Sequence, residues 1–407
     1  MAAAMPRATR RTGRPLMLFV VNDTEFFASH RLPLAIAARR QGYEVHLAAY
    51  PEGRLDLLAR HAIMFHPLPV DRTGLNVWHE LRLVLRLAAL LRALRPRIVH
   101  CVTVKPVLYG GLLARLLGIE GYVAAVSGLG QLFLAERPAM RLLCGVVRRL
   151  YKVALGHRNG RVIFQNPDDQ AEFVSAGLVR KEQAVLIRGA GVEPQEFGDG
   201  LAPADGPPMV LLPARLLWAK GVGEFVAAAR ALKAAGCPAR FVIAGAAPVH
   251  NRASVPEATL RAWHEEGSIE WLGHQSDMPA LYAASTIVCL PSYYREGVPR
   301  CLIEAAACGR PIVTTTMPGC REICRDGENG LLVPPRDVAA LTAALARLLG
   351  DRQLRLAMGR RGRLLVEREF SLGKVVAATL EIYDALAATP ASPAATLPGS
   401  AGLGAVR

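Results

Sequence analysis

Two glutamates, Glu296 and Glu304, lie eight residues apart in the segment REGVPRCLIEA. A Gly-Val-Pro-Arg turn and the start of a small-residue run separate them. Carboxylates accept hydrogen bonds from hydroxyl groups, and free backbone N–H groups at a helix start attract phosphate oxygens. The arrangement therefore suits a polyhydroxylated ligand that carries phosphate, such as a nucleotide sugar. Glutamates with this spacing also occur by chance in many helices, so the spacing alone leaves a surface role open.

The elements around the glutamates favour the ligand-binding interpretation. The preceding run STIVCLPSYY is apolar and rich in β-branched and aromatic residues, which predicts a buried strand that ends just before Glu296. The run from Cys301 to Cys308 is apolar and is followed by Gly309 and Pro311, which predicts a short helix packed against a sheet. Ligands of open α/β sheets bind at the carboxyl ends of the strands, so this helix start should face a binding crevice.

The stretch REGVPRCLIEAAACGRPIVTTTMPGCREICRDGENGLLVPPRD resembles the donor-binding signature of retaining family 4 glycosyltransferases. The resemblance implies that Glu296 contacts the hydroxyls of the donor sugar and that Glu304 contacts the ribose. The turn between them would offer backbone N–H groups to the donor, except at Pro299, which has none. The turn residues expected to bind the donor are Gly297, Val298 and Arg300.

Two cations, Arg215 and Lys220, lie five residues apart in PARLLWAKG, after a predicted strand. On an arbitrary loop they would be ordinary surface charges. In the family that this chain resembles, the comparable Arg and Lys bind the donor diphosphate, where they neutralise the leaving group. We therefore expect Glu296, Arg215 and Lys220 to carry catalysis. Gly245, in VIAGAAP after the next strand, is expected to let the backbone approach the nucleotide.

The sequence gives no sign of a metal site. Metal-dependent glycosyltransferases use a D-x-D triplet to place a divalent ion on the diphosphate. This chain has none, and the adjacent Asp168 and Asp169 lie in QNPDDQ. We expect neither a metal nor another cofactor, with the UDP-sugar acting as a co-substrate and the protein's cations acting on the diphosphate.

Composition indicates a large α/β enzyme with anionic partners. A chain of 407 residues suits two domains of roughly 150–200 residues each. The 49 Lys and Arg exceed the 34 Asp and Glu, which favours nucleotides, diphosphates or acidic lipids. Nucleic acid is not expected, because the aromatic residues are not interleaved with the basic stretches as a stacking platform needs. The eight cysteines show no C-x-x-C ligand pattern and suit reduced core thiols in the cytoplasm.

Strand-like and helix-like segments alternate in two series, from Leu16 and again from Met209. This rhythm predicts two Rossmann-like domains. The resemblance implies that they face each other across a cleft in the GT-B fold, with the nucleotide sugar held by the second domain. The predicted segments are a disordered basic N-terminus (1–15), an acceptor domain (16–188), a linker (189–208), a nucleotide-sugar domain (209–370), a helix that crosses back to the first domain (371–387) and a disordered tail (388–407).

The first domain is similar to a subgroup of the family that builds oligosaccharides on undecaprenyl diphosphate. The resemblance rests on NDTEFFASHR, on RIVHCVTVKPVLYG and on the Gly-Leu-Gly loop at Ser127–Phe133. It implies that His30, Arg31 and Lys105 contact the acceptor, although His30 and Arg31 at a helix start also suit capping or surface charge. Many family members have a histidine near the Gly-Leu-Gly loop that supports the transferred sugar, and this chain lacks it.

Two basic stretches suggest contact with a membrane surface. The segment Asn76–Arg97 has five arginines, one glutamate and a leucine stripe, and Ala139–Arg161 is also basic. Amphipathic helices of this kind lie in the interface of anionic bilayers, although packed helices with solvated arginines are the alternative. No secretory signal or bilayer-spanning run is evident. We expect peripheral attachment to the cytoplasmic face of the membrane.

The sequence thus predicts a retaining glycosyltransferase that moves a sugar, expected to be a HexNAc, from a UDP-sugar to a polyprenyl-diphosphate-linked glycan. The products would be cell-surface polysaccharides or glycoprotein glycans. The alternatives are a GT-B enzyme with another lipid or soluble sugar acceptor, a nucleotide-sugar epimerase of similar shape, or a catalytically silent membrane-associated binding protein.

Overall fold

The computed structural model describes residues 13–53, 55–70, 76–126, 138–198, 206–248, 251 and 253–388. The predicted disordered N-terminus and tail fall almost entirely outside these residues. So do the Gly-Leu-Gly loop at Ser127–Phe133 and residues 199–205 of the predicted linker.

The N-terminal domain is a parallel sheet covered by helices on both faces. Its strands are β1 (Leu16–Asp23), β2 (Glu44–Tyr50), β3 (Met64–Pro67), β4 (Ile98–Val102), β5 (Gly121–Val126), β6 (Gly160–Phe164) and β7 (Ala184–Leu186). Its helices are α1 (Thr24–His30), α2 (Leu32–Arg40), α3 (Leu55–Arg60), α4 (Val77–Leu94), α5 (Val104–Leu116), α6 (Pro138–Leu155) and α7 (Pro167–Ser175). Among the described residues the strand order is β3-β2-β1-β4-β5-β6-β7.

The C-terminal domain repeats this plan. Its strands are β8 (Met209–Pro213), β9 (Arg240–Ala244), β10 (Glu270–Trp271), β11 (Ile287–Leu290), β12 (Ile312–Thr315) and β13 (Gly330–Val333). The helices that follow are α8 (Val222–Ala234), α9 (Glu257–Glu265), α10 (Met278–Ala284), α11 (Arg300–Ala307), α12 (Pro318–Ile323), α13 (Val338–Gly350), α14 (Arg352–Leu365) and α15 (Leu372–Ala388). The described strands form one parallel sheet in the order β10-β9-β8-β11-β12-β13.

The central strands are apolar because helices cover both of their faces. Every residue of β4, β5, β8, β11 and β12 is buried, as expected of central strands in a parallel sheet. The edge strands β3 and β7 are partly exposed along their length. Their short, mixed sequences gave no strand signal, and the sequence did not predict them.

The last helix belongs to the core of the first domain. After a π-helical turn at Val366–Phe370, Ser371 forms an isolated parallel bridge with Val192, and α15 then begins. Tyr383 of α15 is fully buried among residues of β1, β4 and α2, and its hydroxyl lies 2.5 Å from His100 Nδ1. The helix thereby closes one face of the N-terminal sheet.

The strand order creates one diverging point in each sheet. In the C-terminal sheet, β9 lies on one side of β8 and β11 on the other, so the chains leaving β8 and β11 turn to opposite faces. In the N-terminal sheet, β1 has β2 and β4 as its neighbours in the same way. A crevice forms where such connections part, which is the usual ligand position in open α/β sheets.

Candidate active site

The segments that follow β8 and β11 pack directly against each other. The carbonyl oxygen of Ala219 accepts hydrogen bonds from the backbone N–H groups of Tyr293 (3.0 Å) and Tyr294 (3.1 Å). A Cβ at Gly221 would overlap the carbonyl of Pro291, so only glycine permits this close approach. Two segments that are distant in the sequence are thus joined at the diverging point of the sheet.

This packing brings Lys220 and Glu296 together. The ammonium of Lys220 contacts Oε2 of Glu296, and the Ser292 hydroxyl donates to Oε1 at 2.8 Å. The two charged side chains are only 10% and 14% exposed. Lys220 Nζ also lies 5.9 Å from the centroid of the Tyr294 ring. The catalytic pair predicted from the sequence is therefore adjacent in space and held in a sheltered, polar pocket.

Glu304 lies on α11, the helix that follows Glu296 in the chain, and its carboxylate accepts hydrogen bonds from two donors. The Tyr282 hydroxyl donates to Oε2 at 3.0 Å, and Arg300 Nε donates to Oε1 at 2.8 Å. Burial raises the pKa of Glu304 above its ordinary value of 4.5, and the Arg300 guanidinium opposes this shift. Each carboxylate oxygen keeps a free lone pair for a ligand hydroxyl, as ribose binding would require.

Helix α11 begins at this pocket with an uncapped end. Pro299 precedes it and provides no capping side chain. Within the described residues, the N–H groups of Gly297, Arg300 and Cys301 have no hydrogen-bond partner, which suits an anionic ligand. The N–H of Val298 was expected to face the donor in the same way. It donates to Gln165 Oε1 at 3.0 Å, so the contact of Val298 with the donor stays a prediction that this N–H does not support.

Arg215 lies at the same crevice with its side chain exposed. In the described part of the chain its guanidinium makes no ion pair or hydrogen bond and remains available to a phosphate. Gly245 lies next to it in space, because a Cβ on Gly245 would overlap the carbonyl oxygen of Ala214. Its N–H donates to the Gly273 carbonyl at 2.7 Å. Glycine at position 245 therefore allows the loops after β8, β9 and β10 to meet closely.

His30, at the end of α1, lies close enough to Arg300 and Arg215 of the C-terminal domain for their charges to act on it. Its imidazole stacks on Phe26 with ring centroids 4.4 Å apart, and Nδ1 lies 2.7 Å from the Ser29 hydroxyl. Burial lowers the pKa of His30 from 6.5 to about 3 and keeps the ring neutral at physiological pH. Neighbouring guanidinium groups add to this shift, namely those of Arg300, Arg31 and Arg215.

The other two predicted acceptor contacts lie elsewhere. Lys105 donates to the Glu80 carboxylate, which also accepts a hydrogen bond from the Tyr109 hydroxyl at 2.7 Å. Arg31 is only 6% exposed and lines a small internal cavity beside His100. In this structure one cation is paired with a carboxylate and the other points into the protein. Acceptor binding by His30, Arg31 and Lys105 stays a prediction.

Several residues at the site were not predicted to act there. Gln165 and Asn166 follow β6 and reach the turn after β11, and Asp169 of α7 accepts from Arg295 Nε at 3.0 Å. Their signal in the sequence was the QNPDDQ segment directly after a predicted strand, which places polar side chains at the carboxyl edge of the sheet. This segment does not match the D-x-D metal motif.

Among the described residues, no cluster of three or more His, Cys, Asp or Glu side chains has the arrangement of a metal site. None of the helices in the described part of the chain has both the length and the apolar character needed to cross a bilayer.

Both domains match known protein families. Residues 17–166 match the family described as glycosyl transferase 4-like, and residues 207–351 match glycosyl transferases group 1. The second range contains Arg215, Lys220, Glu296 and Glu304.

The proteins that match this chain over most of its length include the following three. It is 29% identical to N,N'-diacetylbacillosaminyl-diphospho-undecaprenol alpha-1,3-N-acetylgalactosaminyltransferase of Campylobacter jejuni, over 71% of this chain and 77% of that protein. It is 27% identical to the Bacillus subtilis protein named as putative glycosyltransferase EpsD, over 91% of this chain and 96% of that protein. The crystal structure of Anabaena HepE in complex with UDP and glucose superposes with a TM-score of 0.70 at 18% identity. The match covers 90% of this chain and 99% of HepE. The predicted GT-B fold is confirmed.

Proposed function

The two domains of this chain belong to the glycosyl transferase 4-like and glycosyl transferases group 1 families, and from this premise we propose a specific reaction. The protein transfers a sugar from a UDP-sugar to a polyprenyl-diphosphate-linked glycan, with retention of anomeric configuration and without a metal ion. The reaction serves the assembly of a cell-surface polysaccharide or a glycoprotein glycan.

The observation that carries this proposal is the contact of Lys220 with Glu296 at the diverging point of the C-terminal sheet. A lone buried carboxylate would repel a diphosphate, whereas this one is neutralised by an ammonium that the incoming phosphate can share. Arg215, on the same segment after β8 as Lys220, is exposed and has no acidic partner in the described residues. The site thus offers one carboxylate for sugar hydroxyls and two cations for the leaving group.

The proposed chemistry uses these groups in one step. The bond between the anomeric carbon and the diphosphate oxygen breaks, and the acceptor oxygen bonds to the same face of the sugar. The proton of the acceptor hydroxyl passes to the departing diphosphate oxygen, so UDP leaves with its charge stabilised by Arg215 and Lys220. Glu296 orients the sugar through its hydroxyls, and Glu304 holds the ribose. The protein acts by positioning and by electrostatic stabilisation.

Two similar proteins support the proposed classes of acceptor and donor. The Campylobacter jejuni protein is named for an undecaprenyl-diphosphate-linked acceptor and an N-acetylgalactosaminyl donor group. The Anabaena structure contains UDP and glucose. We assign to this chain a UDP-sugar of the HexNAc class and an acceptor whose lipid tail remains in the bilayer.

A lipid-linked acceptor needs an enzyme that reaches the membrane surface, and α4 presents a suitable face. Its outer side exposes Trp78 (77%), Leu81 (45%) and Leu85 (61%), flanked by Arg82 and Arg86. Glu80, the one acidic residue of α4, is turned inward by Lys105 and Tyr109. The outer face therefore combines apolar and cationic groups, as a helix lying on an anionic bilayer does.

A UDP-release screen tests the reaction. The purified protein is incubated with UDP-GalNAc, UDP-GlcNAc or UDP-glucose and an undecaprenyl-diphosphate-linked monosaccharide, with acceptor-free and Glu296→Gln reactions as controls. We expect acceptor-dependent UDP release and a product whose anomeric coupling matches that of the donor. An altered UDP-sugar formed without acceptor would indicate an epimerase. Absence of UDP release with every pair, in protein that still binds UDP, would favour a silent binding protein.

A further inference from the structure

The turn that carries Glu296 is held from the opposite domain. Gln165 and Asn166 follow β6 of the N-terminal domain, yet both reach the segment after β11 of the C-terminal domain. Gln165 Oε1 accepts from the Val298 N–H at 3.0 Å, and Asn166 Nδ2 donates to the Glu296 carbonyl at 3.4 Å. The side chains of Gln165 and Asn166 are buried, with residue exposures of 8% and 0%. Two backbone groups of the turn are therefore fixed by the other domain.

The turn is closely packed at two glycines. A Cβ at Gly297 would overlap the side-chain oxygen of Gln165. A Cβ at Gly319, at the start of α12, would overlap the carbonyl of Gly297. The turn is thus wedged between Gln165 and α12, and its position depends on the N-terminal domain being in place.

Charged side chains reinforce these contacts. Arg295, next to Glu296 in the chain, donates to Asp169 at 3.0 Å and pairs with Glu172 at 2.6 Å. Asp169 is only 1% exposed and is held by Asn166, whose Nδ2 donates to Oδ2 at 2.9 Å. A third ion pair joins Asp168 to Arg321 of α12. The acidic start of α7 thereby holds both segments that border the turn.

We propose that the segment Gln165–Glu172 is a clasp that positions the donor-binding turn from the acceptor domain. Gln165 and Asp169 are its positioning residues: the first sets the Val298 backbone and the second sets Arg295. The donor site is then complete only while the two domains are apposed, so an enzyme that has opened to exchange substrates has a misplaced Glu296 and does not hydrolyse its donor. The consequence for turnover rests on the function proposed above, whereas the clasp itself does not.

Amide hydrogen exchange tests the clasp without reference to activity. In Gln165→Leu the Val298 N–H loses its acceptor, and we expect its exchange to rise at least tenfold because a buried donor is left unpaired. Gln165→Glu keeps an acceptor oxygen and should preserve the wild-type protection. Gln183→Leu is the matched control: Gln183 is a buried glutamine of the same domain whose amide donates to His157 and Gly160, far from the turn.

Turnover gives the second readout. We expect Gln165→Leu to lower kcat/KM for the donor roughly tenfold, with a melting temperature no lower than that of Gln183→Leu. Arg295→Gln should act in the same direction. Its side chain is 16% exposed, so the variant is expected to fold.

Unchanged exchange at Val298 in Gln165→Leu, or an equal increase in Gln183→Leu, would overturn the clasp. A loss of kcat/KM in Gln183→Leu as large as in Gln165→Leu would show a general stability effect instead. If the wild-type protein releases no UDP with any donor, the proposed function fails while the exchange result still decides the clasp.

Discussion

Lys220 and Glu296 are 76 residues apart in the chain, and their charged groups are in contact in a pocket that leaves each side chain at most 14% exposed. The contact joins the two connections that diverge from β8 and β11. It defines where a diphosphate and a sugar would meet the protein.

The first prediction separates the structural role of this ion pair from its catalytic role. Lys220→Met leaves Glu296 largely buried without its partner, so we expect a loss of stability of about 3–5 kcal/mol. We also expect kcat to fall by about 100-fold or more, because the leaving group loses a cation. Thermal unfolding and UDP release measure the two effects.

The double variant Lys220→Met/Glu296→Gln serves as the control for this prediction. It removes both charges, so most of the lost stability should return while turnover stays low. Recovery of turnover together with stability would mean that the pair only supports the fold.

The second prediction concerns pH. Burial raises the pKa of Glu304 above 4.5, so its carboxylate becomes protonated at a higher pH than an ordinary glutamate. Only the ionised form accepts hydrogen bonds from both ribose hydroxyls with both oxygens, so UDP affinity should fall as the pH drops through this raised pKa. Calorimetric titration of UDP at acidic and neutral pH should show this fall in affinity in the wild type but not in Glu304→Gln.

Stability should change with pH in the opposite sense. Between 4.5 and the raised pKa, the folded state binds a proton at Glu304 that the unfolded state does not, so the stability contributed by this group is present at low pH and is lost as the pH rises. Glu304→Gln should therefore gain stability relative to the wild type as the pH increases. A constant difference between the two proteins would contradict the raised pKa.

The third prediction concerns metal ions. With Arg215 and Lys220 acting on the diphosphate, turnover should be unchanged in EDTA and should gain nothing from added Mn²⁺ or Mg²⁺. Arg215→Met should lower kcat by about tenfold to 100-fold in either condition, because one charge-assisted contact is lost. Activity abolished by EDTA and restored by Mn²⁺ would refute the metal-independent reaction.

The fourth prediction concerns the outer face of α4. Leu85→Ser should weaken binding to anionic vesicles roughly tenfold, because burying a leucine stabilises by about 1.5–3 kcal/mol. Leu364→Ser is the matched control, because Leu364 lies on α14 of the other domain and is 63% exposed, close to the 61% of Leu85. Vesicle co-sedimentation measures both. Equal losses of vesicle binding in the two variants, or no loss in either, would show that α4 does not bind the membrane surface.

The central strands and the donor turn could be predicted from the sequence because both produce local signals. Apolar runs marked strands such as β1 and β11, and the turn after β11 was placed from the residues around Glu296. The edge strand Met64–Pro67 was missed because it is partly exposed and therefore lacks a continuous apolar run. The pattern of residue types indicates burial, so a strand could be predicted only where it is buried along its length.

The contacts between distant segments could not be predicted in this way. Gln165 and Val298 are 133 residues apart, and neither residue type indicates the other. Lys105 was expected to be available for a phosphate, but Glu80 from the preceding helix reaches it first. Such pairings depend on how helices pack across the sheet, and a single sequence carries no pattern for that.

The position of α15 has a consequence for the order of biosynthesis. Val375, Ile382, Tyr383 and Leu386 complete the core of the N-terminal domain, yet the ribosome makes them after the whole C-terminal domain. While the chain is still being made, one face of the first sheet therefore lacks its cover and exposes apolar surface to chaperones or to aggregation. The first domain to be synthesised is thus the last to be finished, and a nascent chain truncated before residue 372 should not yield a stable first domain.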